Sequence, residues 1–142
     1  MNTVKLVAVF AENKPGKVAR ITGILAQAGI NIRCITVASS GAFGVMKVLV
    51  NEPDRACQAI KHEGFAATLM DVLAVEMPDK PGALHTVVDC LAANSVNVDN
   101  TSGFIANNRA ILVIEVHDVI RAFDVLQKQG LHVLTQAETL AI

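Results

Sequence analysis

The chain is written twice with a period of 66 residues. Lys14-Pro15-Gly16 returns as Lys80-Pro81-Gly82, Ala8-Val9 as Ala74-Val75, and Leu25-Ala26 as Leu91-Ala92. Asn31, Val50, Arg55-Ala56 and Gly64 return in the same register as Asn97, Val116, Arg121-Ala122 and Gly130, without a gap. A repeat of this length marks a duplicated supersecondary unit. The expected organisation is two small domains, residues 1–70 and 71–142. No polar linker separates them, because "FAATLMDVLAVEM" runs from the last strand of one copy into the first strand of the next.

Each copy reads as strand, helix, strand, strand, helix, strand. In the first, Val4–Ala11 is an apolar strand run. A helix is expected from about Pro15 to Ala28, since Val18, Ile21, Leu25 and Ala28 share one face, and Gly29 ends it. Asn31–Ser39 and Phe43–Val50 are strands joined by a turn at "SSGA". A second helix runs from Pro53-Asp54 to Gly64, and residues 65–70 form the last strand. The second copy repeats this as Val72–Met77, Pro81–Asn94, Asn97–Ile105, a turn at "ANNR", Ala110–Val116, Val119–Gln129 and Leu131–Gln136. The pattern predicts an α+β fold of two ferredoxin-like βαββαβ units, with their antiparallel sheets side by side.

The stretches "NKPGKVARITGILAQAGINI" and "DKPGALHTVVDCLAANSVNV" carry a resemblance. An Asn/Asp-x-Pro-Gly turn after the first strand, followed by an amphipathic helix and Gly-Ile-Asn-Ile, resembles the ACT domain. Two copies cover essentially the whole chain, as in small stand-alone tandem ACT proteins. The resemblance implies binding of a free amino acid at the interface of paired domains and a regulatory role in amino-acid metabolism. The second copy departs from the pattern at Ser95, which stands where the first has Gly29.

The residue chemistry agrees with that implication. Pro15 and Pro81 suit a first helical position, where a missing N–H costs nothing. The next residues, Lys17-Val18 and Ala83-Leu84, lie in the first helical turn, whose N–H groups have no intrahelical partner. Gly16 and Gly82 let a ligand approach the backbone, and a carboxylate suits such a position. Asn13 and Asp79, beside Lys14 and Lys80, either accept from an α-ammonium group or cap the helix. Asp79 carries the full charge, so the second copy should hold an amine more strongly. Asn31 and Asn97 open the second strand of each copy and offer both donor and acceptor. They would lie beside a neighbouring unit's turn if second-strand edges pair. Val18, Leu84, Ile32 and Val98 are the expected apolar lining.

Other chemistries find little in the sequence. The formal net charge is −1, and the chain has no Trp or Tyr, so nucleic-acid binding is not expected. Residues 1–70 hold eight Lys/Arg against four Asp/Glu, and residues 71–142 four against nine. Such halves can attract one another within or between chains, or the imbalance is chance drift of solvated faces. The first apolar run ends at Glu12, too short for a membrane span or a signal peptide. Cys34, Cys57 and Cys90 form no CxxC pair and read as reduced thiols in a cytoplasmic protein. His62, His85, His117 and His132 are scattered, and no metal or cofactor is expected. No nucleophile elbow, Walker loop or dinucleotide fingerprint occurs.

The expected function is therefore non-enzymatic: a regulatory or sensor protein for a small or aliphatic amino acid, forming a homodimer and acting on a regulated enzyme. The competing expectation is an assembly module that binds a partner protein through a sheet edge or face and holds no small molecule. A small enzyme built on the Lys17/Arg20 loop is the third.

Overall fold

The computed structural model describes residues 1–142. The elements follow in the order β1 (Val4–Glu12), α1 (Lys17–Gln27), β2 (Ile32–Ser40), β3 (Phe43–Val50), α2 (Pro53–His62), β4 (Ala66–Met77), α3 (Ala83–Ala93), β5 (Asn100–Ala106), β6 (Arg109–Glu115), α4 (Val119–Lys128), β7 (His132–Val133) and α5 (Gln136–Leu140). Two compact units result: Lys5–Met70, and Asp71–Ile142 together with Met1–Val4. Each is a βαββαβ unit of the ferredoxin-like kind.

In the N-terminal unit, β3 lies between β1 and β2 and is antiparallel to both, with Val9 opposite Met46 and Val37 opposite Met46 on the other side. In the C-terminal unit, β6 lies between β4 and β5, and β7 pairs with β4. The cores occupy matching positions. Val7, Val9, Ile21, Leu25, Met46, Val48 and Ile60 pack in one, and Leu73, Val75, Val87, Leu91, Leu112, Ile114 and Leu126 in the other. Each residue of the first list is the 66-residue counterpart of one in the second. The duplication therefore preserved which side chains leave water, the largest favourable term in folding. Cys57 belongs to one core and Cys90 packs against the other.

Four helix ends share one device. Gly29, Gly64, Ser95 and Gly130 have positive φ. The next residue's N–H reaches back to the helix in each case: Ile30 to the Leu25 carbonyl at 2.9 Å, and Val96 to Leu91 at 2.9 Å. This is the Schellman ending, which satisfies carbonyls that would otherwise be orphaned. Ser95, at φ 56°, adopts the glycine conformation in spite of its Cβ, so the helix end is the same as at Gly29. The repeated arginines explain themselves at the same place. Arg55 donates to the Ala28 carbonyl and Arg121 to the Asn94 carbonyl at 2.6 Å, placing positive charge at the negative end of each first helix.

Four expectations are corrected. The helices begin at Lys17 and Ala83, not at the prolines. The second strand of the second copy begins at Asn100 rather than Asn97. The last strand is only His132–Val133, because Thr135 starts a new helix. The Thr135 hydroxyl accepts from the Glu138 N–H at 3.1 Å, and the Glu138 carboxylate accepts from the Thr135 N–H at 2.7 Å. That capping box was readable in "TQAE". The two expected strands flanking residue 71 are one strand, β4.

The copies differ at matching positions of β1 and β3 in the first and β4 and β6 in the second. The first copy has exposed Phe10 and Phe43. The second has Glu76 and Arg109, joined by two hydrogen bonds of 2.9 and 2.7 Å. The Arg109 hydrogen bond holds the Glu76 carboxyl below its ordinary range. A depressed carboxylate stabilises the fold above the unfolded-state value and loses that contribution as pH falls through it. Stability followed by urea denaturation should therefore drop less steeply between about pH 5 and pH 3 in Glu76→Gln than in the parent. Ser95→Gly relieves the left-handed strain, so it should stabilise the chain by about 0.5–1 kcal/mol, read as a rise in Tm of a few degrees. Gly29→Ser should do the reverse.

Candidate functional site

The Lys-Pro-Gly repeat forms a tight turn before each first helix. Lys17 N–H donates to the Lys14 carbonyl at 3.3 Å, and Ala83 N–H to the Lys80 carbonyl at 3.2 Å. Gly16 sits at φ 87°, ψ −9° and Gly82 at φ 86°, ψ −12°. With Pro at the second position and a positive-φ glycine at the third, these are type II β-turns. The glycines are thus demanded by backbone angle. A Cβ at either would meet nothing within 4 Å, so the space above each turn is open as well. No side chain caps α1 or α3, which leaves the amides of Val18-Ala19 and Leu84-His85 directed at solvent.

Asn13 does not cap α1. Its side-chain amide donates to the Gly41 carbonyl at 3.3 Å, leaving the Oδ1 acceptor over. Its N–H donates to the Ala42 carbonyl at 2.7 Å, tying the turn to the β2–β3 hairpin. Asp79 is exposed at the equivalent place. Lys14 pairs with Glu12 at 2.7 Å; the hydrogen bond lowers the Glu12 pKa and raises that of Lys14. At Lys80 the counterpart of Glu12 is Pro78, so that cation is differently placed. Lys17 and Arg20 both lie over the Phe65 ring, at 5.8 and 5.7 Å from its centre, and Arg20 also reaches Glu63 at 3.4 Å. Aromatic and carboxylate partners hold these cations. The Lys17/Arg20 cluster has no copy in the second unit, where Ala83, Thr86, Gln129 and Leu131 stand at the matching positions.

A recess lies behind each turn, under the first turns of the helix and beside the ends of the strands. In the N-terminal unit it is shallow, with a cavity volume of about 40 Å³, and is lined by Ala11, Glu12, Asn13, Lys14, Lys17, Val18, Val37, Ser39, Gly44 and Val45, with Val9, Ile21 and Met46 at its base. In the C-terminal unit its cavity volume is about 460 Å³, and it is lined by Met77, Pro78, Asp79, Lys80, Ala83, Leu84, Gly103, Phe104, Ile105, Ala110 and Ile111. Each of the first ten residues is the 66-residue counterpart of one in the second list. The recess is therefore a duplicated feature of the fold.

Of the residues singled out from sequence, Asn13, Lys14, Lys17 and Val18 line one recess, and Asp79, Lys80, Ala83 and Leu84 the other. Pro15 and Gly16, and Pro81 and Gly82, form the turns themselves. Asn31, Ile32, Asn97 and Val98 are not brought to these recesses within their own units. Asn31 N–H donates to the Asn51 side chain at 3.0 Å, and Asn97 donates to Asp99 at 3.0 Å. Ile32 and Val98 pack against the unit cores. The eight residue steps from Asn31 to Ser39 span about 26 Å of extended chain, so the two ends of β2 are at opposite ends of the unit. Sequence reasoning missed the β2–β3 wall of Val37, Ser39, Gly44 and Val45. Its signal was the strand alternation that puts Val37 and Ser39 on one side.

Burial pushes the Cys34 and Cys90 thiols up, the opposite of what a thiolate nucleophile needs. No helix is long and apolar enough to cross a membrane.

Comparison with known proteins agrees with the fold. No curated protein sequence matches the chain. A protein of known structure from Bacteroides thetaiotaomicron is 31% identical, covers 96% of this chain and 94% of its own, and superposes with a TM-score of 0.90. The ligand-free regulatory subunit of aspartate kinase from Thermus thermophilus is 17% identical, with 90% and 93% covered and a TM-score of 0.64. Its counterpart from Thermus flavus is 16% identical over the same shares, with a TM-score of 0.60; these two share the fold. The family model of the ACT domain pair matches residues 2–141, and the chain belongs to that family.

Proposed function

We propose that the protein is a regulatory or sensor protein that binds a free amino acid where two ACT units pair, one from each of two chains. The observation that carries this reading is the duplicated recess beside unpaired helix amides. Each recess offers what an amino acid needs: backbone N–H groups for the carboxylate, Asn13 or Asp79 for the ammonium, and apolar walls for the side chain. The family membership and the shared fold of the Thermus regulatory subunits support a regulatory role.

Pairing between chains is supported by the edges. Strand β2 pairs only with β3, and β5 only with β6. Their exposed apolar side chains include Val37, 54% exposed, and Ile105, 63% exposed. Bare apolar edges of this kind invite strand addition. Antiparallel pairing of two β2 edges would bring Asn31 and Ile32 of the partner subunit's β2 toward the Ser39 end of the first, which is where the recess opens. By that route the distant asparagines enter the site. A ligand bridging two chains stabilises the paired state by its differential affinity. The same edges favour the second reading, a ligand-free assembly module that captures a partner protein.

A thermal-shift screen against the twenty amino acids separates the two. A ligand at 100 times its Kd adds about 2.7 kcal/mol, a rise of several degrees; a flat response to all twenty would leave the assembly reading. In titration calorimetry, Asp79→Ala should weaken binding at the C-terminal recess roughly tenfold or more, through loss of a charge-assisted hydrogen bond. Asn31→Ala and Asn97→Ala should each weaken binding and shift sedimentation toward monomer. Unchanged affinity in both would remove the asparagines from the site.

A further inference from the structure

We infer that the two recesses are selective for amino acids of different size, and that Val37 and Gly103 set the difference. The inference rests on the amino-acid-binding reading above. Strand register puts Val37 opposite Met46 and Gly103 opposite Leu112. Met46 and Leu112 belong to the cores beneath the helices, so positions 37 and 103 face the helix across the recess. At position 37 a valine fills that gap. At position 103 nothing does: a Cβ there would lie 3.3 Å from the Ile111 carbonyl and 3.8 Å from Leu112 Cδ1, on the recess floor.

The opposite wall changes in the same direction. Lys17 on α1 is replaced by Ala83 on α3, which is 8% exposed. Bulk is thus removed at these two facing positions, while Val18 and Ser39 give way to the larger Leu84 and Ile105, and the net cavity volume is about 460 Å³ against about 40 Å³. Polarity changes too. Ser39 and Lys17 of the first recess become Ile105 and Ala83 in the second. The second recess accordingly takes a large apolar side chain, of the leucine or methionine class, and the first takes a small or hydroxylated one, of the glycine or serine class. A hydrophobic pocket discriminates such ligands by roughly tenfold or more per misplaced group.

The test is calorimetric titration of the full chain with L-leucine and L-serine. The parent should bind both without competition. Gly103→Val should weaken leucine binding at least tenfold and leave serine binding unchanged. Its Cβ sits close to the Ile111 carbonyl, so Ala83→Leu, which fills the same space from the helix, serves as an independent variant with the same expected loss. Val37→Gly should create a second leucine site per chain. Competition between leucine and serine, leucine affinity unchanged in both filling variants, or no added site in Val37→Gly would each overturn the inference. If neither probe binds but another of the twenty amino acids does, the size assignment fails and the broader reading stands. If none of the twenty binds, both fail.

Discussion

A positive-φ glycine after a proline is the constraint on which the site depends. The type II turn needs φ near +80° at its third residue, a conformation that costs an L-residue about 1–2 kcal/mol and costs glycine almost nothing. Gly16 and Gly82 supply it. The turn ends each first strand and starts each first helix one residue after the glycine, with no side chain over the helix mouth. The same choice of residue therefore fixes where α1 and α3 begin and keeps the space in front of their amides clear. A capping serine or aspartate at the same place would have satisfied those amides internally.

Duplication preserved the parts that hold each unit and relaxed the parts that face outward. The core positions, the Schellman endings and the arginine-to-carbonyl bonds recur in both copies. Burial of each large core side chain is worth about 1.5–3 kcal/mol, a large share of a marginal folding free energy. The recess walls recur in position and differ in chemistry. Glu12, Lys17, Val37 and Ser39 correspond to Pro78, Ala83, Gly103 and Ile105 in the repeat. A wall open to solvent tolerates such changes at little cost in stability. The two halves of the chain thus share one scaffold with two differently shaped mouths.

The helix mouth was legible because it is local. Lys-Pro-Gly, the following helical period and the closing glycine all act within a few residues of one another, and repetition removed the ambiguity of any one copy. The turn residues Asn13, Lys14, Asp79 and Lys80 were named from that pattern alone. The exact helix start was missed, since Pro-Gly fits both a first helical turn and a type II turn. The short final strand was missed because a β-compatible run, "LHVLTQ", competes with the capping box that begins inside it. Local hydrogen bonds between Thr135 and Glu138 win there.

From the sequence by itself came the duplication, the element types and the ACT resemblance, because each depends on spacing along the chain. Tertiary structure alone decided which strand residues complete each recess, and that Asn31 and Asn97 stand away from it in their own units. The reason is register. Which β2 residue faces α1 depends on how β2 aligns with β3, and that alignment is fixed by a hairpin and a core rather than by the residues of β2.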